Sequence, residues 1–184
     1  MEWKVKTGME LQFENIRIRN AVITDAELLA KWWNDGSVMA HAGFPKGIGT
    51  TAKKVAQDIR MESDSTVRRY LILLDEVRIG ELVHRQINPR VCEIGIKICD
   101  ATKQNQGYGK IILSLFLSGL FDCLGYEWIQ LDTDLENTRV QHVYESLGFQ
   151  KLAINHDSWV DQLGRARSSV DYSLSRENFH SYID

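Results

Sequence analysis

Proline is nearly missing: only Pro45 and Pro89 occur in 184 residues. Little in the chain therefore forbids helix or strand, and no proline-rich linker divides it. Cysteine is scarce too. Cys92, Cys99 and Cys123 are odd in number and lack CxxC spacing, which argues against a disulfide framework and a zinc site. They read as small buried hydrophobes in a reducing compartment, and no metal is expected. No apolar run approaches the roughly 20 residues of a membrane-spanning helix. The start, MEWKVKTGMELQF, lacks the basic, apolar, small-residue layout of a secretory leader. A cytoplasmic location with no membrane partner is the expectation. There is no basic surplus either: the net charge of −3 does not favour nucleic acid as a partner and mildly suits a cationic one.

What is present is ordinary for a globular chain, with 43% hydrophobic and 26% charged residues, enough to bury one core. The expectation is a single domain over 1–184, with 1–12 as an N-terminal extension. NIRIRNA alternates like a strand, and TDAELLAKWWND reads as a helix with Thr24 and Glu27 at capping-box spacing. The segment 36–49, containing AGFPKGIG, has too many breakers for regular structure, and TTAKKVAQDIRMES resumes a capped helix. RRYLILLDE, RIGELVHRQI and VCEIGIKI form an antiparallel meander. A glycine-flanked turn, a helix to about Leu124, the strand EWIQLDTD, a helix over about 138–147 and a closing hairpin follow. This order predicts an α/β (α+β) fold: a mixed, largely antiparallel seven-stranded sheet flanked by about four helices.

Two glycines bracket Tyr108 at the threshold of that third helix, where a turn alone needs one. Gly107-Tyr108-Gly109 lacks the third glycine of a dinucleotide fingerprint, and Lys110 lacks the following Ser or Thr of a P-loop. What remains is a strand, a polar loop and a helix opening Gly-Tyr-Gly-Lys. Removing Cβ atoms there lets an anion such as a pyrophosphate approach the unpaired N–H groups of the helix start. An easy strand-to-helix turn would use the same residues.

Gln104-Asn105-Gln106-Gly107-Tyr108-Gly109 resembles the Gln/Arg-x-x-Gly-x-Gly/Ala acetyl-CoA signature of the GNAT superfamily of N-acetyltransferases, and it lies between the strand and helix where that family has it. LDTDLENTRVQHVYESLGF resembles the family's second motif: a strand, Asn137, Tyr144 seven positions on, then Gly148-Phe149. The resemblance spans roughly 16–174. Looser likeness of AKWWNDGSVMAHAG and of the C-terminal segment is to the branch holding ribosomal-protein N-terminal, spermidine and some aminoglycoside acetyltransferases. The resemblance implies a GNAT-like fold with acetyl-CoA as cosubstrate. It implies that the amides of Gln106, Gly107, Tyr108, Gly109 and Lys110 cradle the pyrophosphate, with Gln104 and Asn105 of the signature also binding the cofactor, a pantetheine arm paired with Ile96, Lys97 and Ile98, and Asn137 as helix cap, pantetheine ligand or both. Gly95 is expected at a bulge or close approach, with a freed N–H toward the thioester oxygen.

By the same resemblance Tyr144 protonates the departing thiolate, a role its phenol suits; it can also be a tyrosine packed in its helix hinge. Amines are protonated near pH 7, so a base is needed. Glu93, on a face shared with Gly95 and Lys97, leads; Asp132 is the runner-up, and a water chain stays open. Asp134 shares the face of Asp132 and, with Trp33 and His41, is a candidate for the acceptor wall. The acceptor is read as a primary amine, a protein or peptide N-terminus ahead of a polyamine or aminoglycoside. A non-catalytic acetyl-CoA-binding sensor module is the reading from another class. An exposed last strand could pair edges in a homodimer.

Overall fold

The computed structural model describes residues 4–5 and 9–183. One sheet runs through them, built from β1 (Lys4–Val5), β2 (Leu11–Phe13), β3 (Ile16–Asn20), β4 (Val67–Leu74), β5 (Val77–Asn88), β6 (Val91–Ile98), β7 (Trp128–Asp134), β8 (Gln150–Val160) and β9 (Ala166–Ser175). The strand order is β1-β2-β3-β4-β5-β6-β7-β9-β8. Every neighbouring pair is antiparallel except β6 and β7. The helices are α1 (Ala26–Asn34), α2 (Gly36–Met39), α3 (Ala52–Met61), α4 (Tyr108–Asp122) and α5 (Thr138–Ser146).

The mixed, largely antiparallel architecture is the one expected, with nine strands in place of seven and five helices in place of about four. Both extra strands come from the expected extension. Leu11 alternates inward with Phe13 on a three-residue strand that pairs with β3, and Met9 and Leu11 are buried in the main core. The rest of that extension lies outside the described residues. The extra helix is α2, one turn inside the segment expected to be irregular. The Asp35 carboxylate starts it by accepting from the Ser37 amide at 2.8 Å. The expected Thr24/Glu27 box is also replaced. Asp25 caps α1 without a side-chain cap bond, because its carboxylate is spent on Arg19 at 2.7 Å and on the Val22 amide at 2.9 Å.

Strand alternation divides the core. Tyr70, Ile72 and Leu74 of β4 face α4 and α5, while Leu71 and Leu73 face Leu29 and Ala30 of α1 and Val55 and Ile59 of α3. β4 is therefore covered on both sides. Helix α4 is buried all round from Ile112 to Phe121, as its unbroken apolar run requires. Cys92 and Cys99 are buried, and burial pushes the Cys92 thiol up to about 12, which makes it inert.

The feature that shapes the molecule is the contact of β6 with β7. They pair over Val91↔Trp128, Cys92↔Ile129 and Glu93↔Gln130 and then part. Because Leu11 is fully buried under α4, Leu11→Ala should lower the free energy of unfolding by about 2–5 kcal/mol in urea titration. A loss under about 1 kcal/mol would mean that β2 is an ornament rather than part of the core.

Candidate active site

Where β6 and β7 part, a cleft of about 920 Å³ opens. Its β6 wall has a defined polarity. The Cys99 amide donates to the Ile79 carbonyl at 2.8 Å, and β5 and β6 hold one register from Gly80↔Ile98 to Gln86↔Cys92. Alternation along an antiparallel ladder then turns the amides of Glu93, Gly95 and Lys97 toward β5, and those of Ile94, Ile96 and Ile98 toward β7. With β7 gone beyond Glu93, the N–H and C=O of Ile96 face the cleft. This corrects the expectation for Gly95. It pairs regularly with Val83 and makes no bulge, so the free amide is that of Ile96. The Ile98 carbonyl is taken by the Gln104 side-chain amide at 2.8 Å.

At one end the cleft meets the start of α4. The loop before it is pinned by Asp100, whose carboxylate accepts from the Thr102 amide at 2.9 Å and hydroxyl at 2.7 Å. Gly107 occupies the N-cap at φ +86°, a left-handed conformation that favours glycine. A Cβ at Gly109 would meet no atom within 4 Å, so the helix start is open rather than packed against its own chain. Lys103, Lys110 and Arg139 border this end, and among the described residues none has a carboxylate within the 4.0 Å of an ion pair. An anion therefore meets unpaired amides, a helix dipole and three cations without a carboxylate partner, of which Lys110 lies over the Tyr182 ring at 4.7 Å.

The other end is anionic. Glu93, Asp132 and Asp134 line it. Glu93 is paired with Arg85 at 3.3 Å. Asp134 is held by Arg167 through Nε at 2.9 Å and a terminal nitrogen at 2.7 Å, and its other oxygen accepts from the Glu136 amide at 2.8 Å. Asp132 has no cation within ion-pair distance among the described residues. It stands opposite Asp171 across β7 and β9. Its carboxyl opens to solvent through the cleft, yet the protein around it strips enough water to raise its pKa. Glu93 and then Asp171 raise it further by repulsion, and its own amide, freed by the parting of the strands, partly offsets this.

Between the two ends stands Tyr144 of α5, buried at 6% exposure but lining the cleft. Its ring is wedged between Phe149 and Tyr172, with centroids at 5.7 and 5.9 Å. No hydrogen bond engages its hydroxyl among the described residues. Burial pushes the phenol up, and the Asp132 charge pushes the same way, so it stays protonated at neutral pH. Asn137 caps α5 by accepting from the Val140 amide at 3.4 Å and lines the cleft as well.

Of the residues singled out from sequence, the cleft brings together Glu93, Asp132 and Tyr144, the Ile96 to Ile98 wall, Gln104, Asn105, Gly107, Tyr108, Gly109 and Lys110, Asn137, His41 and Asp134. Two stand outside it. Gln106 turns its side-chain amide back to the Thr102 carbonyl. Trp33 donates its indole N–H to the buried Glu81 at 2.8 Å and carries Arg69 over its ring at 4.5 Å. Glu81 also holds Lys97 at 3.1 Å, so the Lys97 ammonium is engaged away from the helix start. Sequence reasoning passed over Arg85 and Trp159, which line the acidic end. Arg85 sits in no motif and Trp159 only opens the loosely similar C-terminal segment; both are brought in by the register of long strands.

Comparison with known proteins gives a family match and a fold match. A family model described as an acetyltransferase (GNAT) domain matches residues 15–150. No curated protein matches the sequence. Among solved structures, a spermidine N-acetyltransferase from Vibrio cholerae in complex with CoA and spermine superposes with a TM-score of 0.80 at 18% identity, over 89% of this chain and 97% of that one. A probable acetyltransferase superposes with a TM-score of 0.77 at 22% identity, over 91% and 96%. A GNAT-family acetyltransferase from Bacillus anthracis gives 0.73 at 18%, over 90% and 98%. At these identities the likeness is one of fold.

The geometry makes the role of Asp134 testable. Its carboxylate is already saturated by Arg167 and Glu136, so Asp134→Ala should cost about 1.5–3 kcal/mol of stability and change the KM of an amine acceptor by less than about threefold. A well-folded variant with a much higher acceptor KM would show instead that Asp134 touches the acceptor.

Proposed function

The chain belongs to the acetyltransferase (GNAT) family and is an N-acetyltransferase, and from that premise we propose that it carries the acetyl group of acetyl-CoA to a primary amine of a small polycationic acceptor. The observation that carries this is the charge polarity of the cleft: helix amides and cations without a carboxylate partner at one end, a carboxylate with no cation partner among the described residues, set between two others, at the far end, and Tyr144 between them. Like charges held face to face across strands cost stability, and a polyamine would relieve the Asp132, Asp171 and Glu93 repulsion as it binds. The Vibrio cholerae neighbour was solved with CoA and spermine, which agrees in kind. Nothing in the comparisons speaks for a protein N-terminus.

The residues fit the donor. Amides at Gly107, Tyr108 and Gly109 would hold its pyrophosphate with Lys103, Lys110 and Arg139 around it, and the free edge of β6 at Ile96 would pair with its pantetheine arm as an added strand. Acetyl-CoA supplies the activated acetyl thioester. The rest falls to the chain. Asp132, its proton affinity raised by its surroundings, takes a proton from the ammonium of the acceptor and so frees the lone pair. The Ile96 N–H, which faces the cleft, would donate to the thioester oxygen, where negative charge grows as the C–N bond forms. As the C–S bond breaks, the Tyr144 hydroxyl gives its proton to sulfur and regains one from the amine nitrogen, which must lose a second proton to become an amide. Glu93 is less suited to be the base, because its carboxylate is already engaged by Arg85 at 3.3 Å.

Thiol release from acetyl-CoA over polyamines, aminoglycosides and α-amino peptides tests the reading. Polyamine-dependent release with kcat/KM at least about tenfold above any peptide is expected; preference for peptides would overturn the acceptor assignment, and no release with any amine would overturn the reaction. Tyr144→Phe should lower kcat by about 10²–10⁴-fold while the KM for acetyl-CoA moves less than twofold. In the wild type, kcat/KM should rise with pH through a carboxylate step lying above the ordinary Asp range, since the ionised Asp132 is the active form. Asp132→Asn should abolish that step, and a surviving step would give the base role to another group.

A further inference from the structure

The acidic end of the cleft is walled by two segments more than a hundred residues apart, and one side chain ties them together. The segment 36–50 contributes Ser37, Val38, His41 and Ala42 to the wall, and the hairpin of β8 and β9 contributes Trp159. At the hairpin tip the Gln162 side chain accepts from the Lys46 amide at 2.8 Å and donates to the Gly47 carbonyl at 2.9 Å. The Gln162 backbone amide donates to the Gly43 carbonyl at 2.8 Å. Three bonds from one residue thus hold both edges of the turn. On the far side the Asn34 side chain fastens Thr50 in the same two-bonded way, at 2.9 and 2.8 Å.

Trp159 is aimed at this joint by its strand. Asn155 opposes Ser169 and Trp159 opposes Arg167, so four steps along β8 match two along β9. The surplus is a bulge, which re-aims the side chain beyond it. The Trp159 ring comes to rest on Gly43, where a Cβ would lie 2.4 Å from it. Gly43 holds φ +88° and leaves the ring its place.

We propose that Gln162 is a positioning residue for acceptor choice: by locking the 43–47 turn to the hairpin it holds Trp159 over the acidic end, so that the wall admits a slender amine and turns away a broad one. An indole face on the wall of the cleft that Asp132 lines suits a linear chain of methylenes and ammonium groups, which it can cover by apolar contact and cation–π attraction. A ring-bearing amine of the same charge needs the joint to open. The inference rests on the acetyl-transfer reading above and names what that site excludes.

Steady-state kinetics on Gln162→Ala, with spermidine and an aminoglycoside as acceptors, test it. The KM for spermidine should rise about tenfold, the ratio of aminoglycoside to spermidine kcat/KM should rise by a similar factor, and the KM for acetyl-CoA should stay within twofold. Gln162→Glu keeps the acceptor for the Lys46 amide and loses the donor to Gly47, so it should fall between wild type and alanine. Gly43→Ala drives a methyl into the Trp159 ring by another route and should reproduce the loss of selectivity. Unchanged acceptor KM and selectivity in Gln162→Ala would overturn the proposal. So would parallel losses in acetyl-CoA KM and kcat, the mark of a merely structural role. A wild-type chain that releases thiol with no amine would overturn the underlying reaction instead, whereas an active wild type with indifferent variants would overturn this inference alone.

Discussion

Two strands that begin as neighbours and cannot remain so determine the rest of this molecule. β6 is tied to β5 along its length and β7 to β9 along its length, so each follows the twist of its own half-sheet. The halves meet over three residue pairs and separate. A backbone left without a neighbour inside a protein is costly unless water or a ligand takes its place. On the proposed reading, the free edge at Ile96 is where the donor's arm would pair as an added strand. The parting also makes room for α5 to bring Tyr144 to the divide and frees the Asp132 amide to turn on its own carboxylate.

The charges follow the same geometry. The C-terminal end of β6 leads through the polar loop to the start of α4, whose dipole and unpaired amides set a positive potential. Residues nearer the fork, Glu93 and Asp132, crowd together with Asp171 because three strands converge there. One carboxylate is neutralised by Arg85, one is left alone, and the loneliness of Asp132 follows from its place at the fork. Tyr144 completes the arrangement by contrast. Surrounded by Phe149 and Tyr172, it keeps its proton where an exposed phenol would be less firmly held.

Much of this was legible before any coordinates. Period-two alternation in NIRIRNA and VCEIGIKI, the breakers of 36–49 and the polar loop before Gly107 announced strands, wall and helix start, because each is local. What was not legible is what depends on partners. β2 reads as an unremarkable extension until Leu11 is seen under α4, and burial of a three-residue strand leaves no periodic trace. Gly95 drew attention as the special residue of its strand, yet the useful amide belongs to Ile96, since the direction of an amide is set by the register with β5. Trp33 was placed in the wall by nearness in sequence, while a buried Glu81 48 residues on claims its indole. Trp159 and Gln162 lie in the loosely similar C-terminal segment, but that likeness gave neither a role, for their positions are created by a bulge and a turn.

The two ends of the cleft also differ in how firmly they are built. The donor end rests on α4, buried nearly all round, and on β6, whose pairing with β5 runs unbroken past the site. The acceptor end rests on β8, exposed along most of its length, and on a turn fastened by amide bonds at the surface. Bonds of that kind contribute of order 1 kcal/mol each, and segments so held open long before the core does. A change at the acceptor end therefore perturbs little else, whereas a change beneath the glycine turn disturbs the core itself. On the proposed reading, donor recognition is fixed by the same packing that folds the chain, and acceptor recognition is left to the part of the fold that can vary without loss of stability.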